Sequence, residues 1–290
     1  MEKASILHFI SSAKNASPFD VNMAIDAGFA HIMPYCQVEL SEIVALTQDA
    51  MFSRSASGVK REAMFFGGRD VHVALDMQAA ARKAMFPPFE FSTFADPSGA
   101  FTTAAALLAK INTHLSLKNQ TIAIFGASGT VGTTVALIAA TQGANVQMVA
   151  HRDVASMQGH ADALQARYDV KLQVVDGTND AAKTSVLNVA TVAICAAAAG
   201  VRVLQAQHFV QSQSLKIMAD VNAVAPSGIA GLDATNDGKP IENTTILGVG
   251  AMAIGQLKYI TQQKLLQQLL GEKPLHLDYQ DAYEFACANV

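Results

Sequence analysis

The stretch Gln120-Thr121-Ile122-Ala123-Ile124-Phe125-Gly126-Ala127-Ser128-Gly129-Thr130-Val131-Gly132 decides the reading of this chain. A short apolar run ends in three glycines spaced three apart, and a helix-compatible run over residues 133–143 follows at once. A strand that turns sharply into a helix leaves the first helical amides free. Those amides and the positive end of the helix dipole hold a pyrophosphate. Gly126 permits the tight turn, and a small residue at Ser128 or Gly129 lets the backbone approach the phosphates. Gly132 lets the helix pack closely on the strand. The spacing is GxxGxxG rather than the commoner GxGxxG, and a plain strand–turn–helix is the competing reading. With its flanking strand and helix, the segment Gly126-Ala127-Ser128-Gly129-Thr130-Val131-Gly132 reads as a dinucleotide cradle.

A second strand is expected over Asn145-Val146-Gln147-Met148-Val149-Ala150. In NAD-specific sites such a strand ends in Asp or Glu, whose carboxylate bonds the adenosine ribose. Here it ends in His151-Arg152-Asp153. A carboxylate would repel a phosphate on the ribose, whereas a guanidinium pairs with it as a fork. Arg152, helped by His151, therefore points to NADP. Asp153 comes one residue late, and a slight shift of register would bring it to the ribose, so NAD use stays open. Arg152 as a solvated charge at a strand end is the plainer alternative.

The 290 residues suffice for one large or two modest domains. Apolar residues make up 51% and charged ones 15%. This balance suits close-packed α/β structure and subunit contact, so a homo-oligomer is expected. A net charge of −4 gives no reason to expect nucleic acid or a membrane surface as partner. Cys36, Cys195 and Cys287 lie far apart, without metal-ligand or disulfide spacing. Cys195 reads as an inert core thiol. The scattered histidines suggest no metal. The opening Met-Glu-Lys lacks a signal-peptide core, and no run approaches a membrane span, so a cytoplasmic location is expected.

Residues 1–100 read as a mixed α/β domain. Strands are expected at residues 5–10, 31–35, 63–68 and 89–94, the last by its alternating pattern. Helices are expected at 21–27, behind Ser17-Pro18-Phe19-Asp20, and at 71–85, halted by Pro87-Pro88. After the turn Asp96-Pro97-Ser98-Gly99, an alanine-rich helix over 102–115 links two domains. Residues 101–250 then carry the βαβ rhythm of a doubly wound parallel sheet, with strands near 170–175, 191–196, 215–219 and 244–248. Residues 251–290 form a C-terminal segment whose long helix, 251–270, returns to the first domain. The expected fold class is α/β: a Rossmann-type domain plus a second α/β substrate domain completed by that helix.

Ligands bind beyond the carboxyl ends of such strands. Ala196, Ala197 and Ala198 follow one strand, Asn222 follows the next, and Gly248 ends the last. Small side chains there would let the nicotinamide ribose lie against backbone.

Four segments carry a further resemblance. They are Ser17-Pro18-Phe19-Asp20-Val21-Asn22-Met23-Ala24-Ile25-Asp26-Ala27-Gly28, Asp96-Pro97-Ser98-Gly99-Ala100-Phe101-Thr102-Thr103, Asp220-Val221-Asn222-Ala223-Val224-Ala225-Pro226-Ser227-Gly228-Ile229-Ala230-Gly231 and Gly248-Val249-Gly250-Ala251-Met252-Ala253-Ile254-Gly255-Gln256-Leu257-Lys258-Tyr259. Together they closely resemble the bacterial NAD(P)-dependent methylene-tetrahydromethanopterin dehydrogenases. The resemblance runs over residues 5–283 and departs at His151-Arg152-Asp153. It implies hydride transfer from the methylene bridge of tetrahydromethanopterin to NADP or NAD, in the one-carbon metabolism of methylotrophs. No proton must leave, so no general base is required. The protein should hold donor and acceptor close, exclude water and stabilise positive charge developing on the bridge.

The resemblance puts Asp20 and Lys258 on the substrate side. Asp20 is expected near the charged bridge, with Lys258 binding a pterin carbonyl or orienting Asp20. Phe19, Asn22, Asp96, Ser98, Gly99, Thr102 and Thr103 are the expected substrate-binding residues. Plainer readings stand beside these: Asp20 favouring a first helical turn, Lys258 as a surface lysine, Phe19 as a core aromatic. A methylene-tetrahydrofolate dehydrogenase is the same-class alternative. A cyclohydrolase needs no dinucleotide, and the intact fingerprint counts against it as sole activity. A silent NADP- or pterin-binding sensor would be expected to lack Asp20 or Lys258.

Overall fold

Strand and helix alternate along the chain, and the alternation forms two parallel sheets in a computed structural model that describes residues 3–290. The order begins β1 (Ile6–Ile10), α1 (Pro18–Asp26), β2 (His31–Tyr35), α2 (Ile43–Phe52), β3 (Glu62–Phe66), α3 (Val71–Ala84), β4 (Ser92–Ala95) and α4 (Ala100–His114). It continues β5 (Thr121–Phe125), α5 (Thr130–Thr141), β6 (Asn145–Ala150), α6 (Val154–Tyr168), β7 (Leu172–Asp176), α7 (Asp180–Leu187), β8 (Val192–Cys195) and β9 (Ile217–Asp220). The last elements are β10 (Asp237–Pro240), β11 (Leu247–Val249), α8 (Ala251–Gln268), β12 (His276–Leu277) and α9 (Tyr279–Ala288). Two compact units emerge. One holds the described residues up to Thr102 together with Tyr259–Phe285, the other Thr103–Lys258 with Ala286–Val290.

The first unit is a parallel sheet in the order β12-β4-β3-β1-β2. Its helices start where the chain supplies acceptors. Asp20 N donates to the Ser17 hydroxyl at the start of α1, and Asp70 accepts from His72 N and Val73 N at the start of α3. Gly28, at φ +105°, closes α1. Glu62 is buried on β3 but fully partnered: Arg54 Nε and the Ser53 hydroxyl reach Oε1, and His8 Nε2 reaches Oε2. That set ties the end of α2 to β1 and β3. Removing one partner of such a buried pair costs roughly 3–5 kcal/mol.

The second unit has the order β10-β11-β9-β8-β5-β6-β7, parallel except for β10. Its strands β5, β8 and β9 are almost wholly buried because helices cover both faces. Leu204, Phe209, Met218 and Ile229 pack in a core with Phe125 and Cys195.

Several expectations need correction. The strand foreseen at 89–94 is Ser92–Ala95, and all four residues are buried rather than alternating, because it is an inner strand between β3 and β12 in a parallel sheet whose faces are both covered. α5 begins at Thr130, a turn earlier than expected, because Gly129 already takes the N-cap position at φ −76°, ψ 163°. The last strand slides from 244–248 to Leu247–Val249. Residues 241–246 instead form a turn, with Asn243 at φ +60°, that makes β10 antiparallel to β11. The elements α2, β10, β12 and α9 had no forecast.

Candidate functional site

The glycine turn is dictated by space. Gly126 stands at φ +84°, and a Cβ there would lie 2.6 Å from the Ala196 carbonyl group. A Cβ on Gly132 would fall 2.2 Å from the Gly126 carbonyl oxygen, so only glycine lets α5 approach β5 this closely. Gly129 is roomier, with the Gly126 carbonyl oxygen 3.4 Å from where its Cβ would be. No side chain caps α5. A helix start without a side-chain cap, directly behind a glycine turn, is the arrangement that a phosphate cradle uses. Thr133, behind the turn, donates to Ala127 O at 3.1 Å.

A cleft of about 480 Å³ opens beside this turn. Gly126, Ser128, Gly129, His151, Arg152, Ala196, Ala197 and Ala198 all line it, as do Gly177, Thr178, Lys183 and Arg202. Ala127 is buried beneath, while Thr130, Val131 and Gly132 form the first turn of α5. Asn222 and Gly248 lie outside the lining. Asn222 serves its own loop, accepting from Val224 N and donating to Pro226 O. Gly248 makes room in β11 for Leu232 and Asn236. Asp153 accepts from Ala155 N and Ser156 N, so its carboxylate caps α6.

Below the loop after β9 lies a buried carboxylate that sequence reasoning did not single out. Asp220 accepts from Asn222 N, from Gly228 N at 2.6 Å and from Ile229 N at 3.3 Å. Burial pushes its carboxyl above the usual range, against the pull of those amides and of Arg202. Its neighbour Cys195 is pushed up to about 12 by burial and by the Asp220 charge, so the thiol stays protonated and inert.

In the first unit, the carboxyl ends of β1, β3 and β4 bring polar and small residues together. Ser98, at φ +56°, donates to Gly68 O at 2.8 Å. A Cβ on Gly68 would stand 3.1 Å from the Ser12 hydroxyl. Asp96 is fully buried and engaged: Oδ1 accepts from Phe101 N and Thr102 N, and Oδ2 from the Thr102 hydroxyl at 2.7 Å. Asp96 and Thr102 thus fasten the start of α4. Gly99 is buried at φ +63° beside them, and Thr103 is half-buried on α4. On α1, Phe19 and Asn22 are exposed, whereas Asp20 is only 3% exposed and its Oδ1 accepts from Gln262 Nε2 at 2.8 Å. Gln262 had no sequence signal of its own. Half-buried Lys258 stands one turn before it on α8, the spacing that places two residues on one helix face.

Sequence reasoning also missed Gly177, Thr178, Lys183 and Arg202. The turn-forming run Asp176-Gly177-Thr178 at the end of β7 could have flagged the first two.

Comparison with known proteins agrees with this arrangement. The N-terminal domain of methylene-tetrahydromethanopterin dehydrogenases matches residues 18–98. The chain is 41% identical over 289 residues to the NAD(P)-dependent methylenetetrahydromethanopterin dehydrogenase of Methylorubrum extorquens, covering 97% of each. A bifunctional protein designated MdtA from the same organism is 29% identical over 288 residues, 99% of each chain. Among solved structures, shikimate 5-dehydrogenase from Listeria monocytogenes, in complex with shikimate and NAD, matches with a TM-score of 0.55 at 11% identity. It covers 93% of this chain and 92% of that one, and the likeness is one of fold. By its identity to the first of these relatives, matched end to end, this chain belongs to the methylene-tetrahydromethanopterin dehydrogenase family.

Proposed function

We propose that this enzyme oxidises methylene-tetrahydromethanopterin by transferring a hydride to NADP, with NAD as a second acceptor, and releases methenyl-tetrahydromethanopterin. The observation that carries this is an uncapped α5 opening on a cleft lined by Arg152, in a chain 41% identical to an NAD(P)-dependent enzyme of that name. The turn suits a dinucleotide cradle, since a Cβ on Gly126 would strike the Ala196 carbonyl group and one on Gly132 the Gly126 carbonyl oxygen, so only glycines permit the tight turn and the close approach of α5. When bound, the dinucleotide supplies the carbon that accepts the hydride.

The C–H bond of the bridge breaks with both electrons leaving as hydride. The remaining cation is shared by two nitrogens, so no base is needed. The work left to the protein is electrostatic. A carboxylate held in a dry setting next to developing positive charge is worth far more than in water. Asp20, buried and oriented by Gln262, has that character, and we assign it to the bridge, with Lys258 as its partner on the substrate side. Phe19, Asn22, Ser98, Gly99 and Thr103 are assigned to the pterin. Asp96 and Thr102 act by fixing the start of α4.

This reading includes service in one-carbon metabolism, the formaldehyde oxidation of methylotrophs. Three cysteines far apart in sequence, without disulfide spacing, support a reducing compartment such as the cytoplasm. Exposed Met33, Phe52 and Phe86 support a homo-oligomer. The test is an absorbance assay of methylene-tetrahydromethanopterin and methylene-tetrahydrofolate, each against NADP and NAD. The expected result is fastest reduction of NADP by the methanopterin. Reduction only by the folate would transfer the substrate assignment, and no reduction by either would overturn the reading.

A further inference from the structure

The cleft beyond the glycine turn is lined by three basic side chains, Arg152, Lys183 and Arg202, and by no carboxylate among the described residues. The chain as a whole carries a net charge of −4. A concave lining of one sign focuses its potential and favours the more highly charged of two ligands. NADP exceeds NAD by one phosphate, so the three cations differ in what they leave free for it.

Arg202 is engaged. Its Nε donates to Ser227 O, and its charge acts on the buried Asp220 carboxylate. Lys183 is placed differently. Its Nζ donates to Val203 O at 3.1 Å, which leaves two further N–H donors on the ammonium. The carboxylate recorded beside it, Asp180 Oδ1, is 3.9 Å away on a side chain 67% exposed, whereas the Lys183 side chain is 21% exposed. Water therefore screens Asp180 more than it screens Lys183. The anchor is rigid, because Val203 N and Leu204 N both donate to Gly228 O, whose own amide is held by Asp220.

The order β8-β5-β6-β7 gives the direction. With the pyrophosphate over the turn after β5, the ribose lies at the end of β6, and the adenosine extends towards β7. Arg152 follows β6, and Lys183 stands in the first half of α7, after β7. Both line the one cleft that opens beside the glycine turn.

We propose that Lys183 is a second recognition cation for the ribose 2′-phosphate of NADP, a point charge beside the guanidinium fork of Arg152. This rests on the reading that the cleft takes a dinucleotide. NADP preference is then shared between two positions, and Arg152 alone does not account for it.

The test is calorimetric titration of the full chain with 2′,5′-ADP and with 5′-AMP. Lys183→Met should weaken 2′,5′-ADP about tenfold, the scale of one lost charge-assisted contact, and leave 5′-AMP within about twofold. Lys183→Arg should keep most of the affinity. Lys183→Gln, which can still donate a hydrogen bond, should behave like Lys183→Met, separating charge from the Val203 anchor and serving if the methionine variant does not fold. Equal weakening of both fragments, or no weakening of either, would overturn the proposal. An unmutated protein that binds neither fragment nor NADP would instead overturn the dinucleotide reading itself.

Discussion

The first helices of the two sheets begin in opposite ways. α1 starts behind residues 11–17 with Ser17 as its cap, and the Ser17 hydroxyl accepts from Asp20 N at 3.3 Å. α5 starts straight from the glycine turn, and its N-cap, Gly129, has no side chain to offer. Side chains also cap α3, α6 and α7, through Asp70, Asp153 and Asn179. α5 thus lacks a side-chain cap where it meets the cleft, the arrangement that suits an anion arriving from outside. A helix end that the chain closes frees its neighbours for another task, as Asp20 beside Gln262 illustrates.

The contrast can be broken from the α5 side, with the largest expected effect. Gly129→Asp would give α5 a cap like that of α3, in an extended backbone that any residue adopts. Its Cβ would stand 3.4 Å from the Gly126 carbonyl oxygen, at ordinary contact distance. Stability should change by only about a few tenths of a kcal/mol. NADP affinity should fall at least about 100-fold, some ~2.7 kcal/mol, because the new carboxylate takes the amides and repels the pyrophosphate. Calorimetry with a thermal melt checks both, and unchanged affinity would place the phosphates elsewhere.

A smaller effect is expected from closing contacts in the first unit. Asp96→Ala removes the acceptor for two amides and a hydroxyl at the start of α4. The cost should be about 1–2 kcal/mol, read as an earlier urea midpoint, with NADP affinity within about twofold. A loss of turnover without a loss of stability would return Asp96 to the substrate.

Where the chain wrote its reasons into local sequence, the local geometry was legible. Gly126 and Gly132 are spaced for a turn and a close approach, and both are needed for the packing observed. Arg152 follows β6 and lines the cleft. Asp96 follows a strand, as ligand residues do, and its hold on the amides at the start of α4 shows only in three dimensions. Lys183 and Arg202 were invisible because the loop after β8 and helix α7 meet only in three dimensions, through Val203 O. Asp220 escaped because its role, holding Gly228 N and Ile229 N, depends on a loop that closes eight and nine residues later. Edge strand β10 carries Asp, Gly, Lys and Pro, a composition that argues against a strand.

The claim at the centre of this account is that cofactor holding and charge stabilisation are separate tasks of separate residues. The direct measurement is NADP affinity and turnover with methylene-tetrahydromethanopterin for the unmutated enzyme and for Asp20→Ala. The account predicts an NADP Kd unchanged within about twofold and a turnover lowered roughly 100-fold or more, the scale of losing one preorganised electrostatic contact. Near-normal turnover, or affinity and turnover falling together, would contradict it.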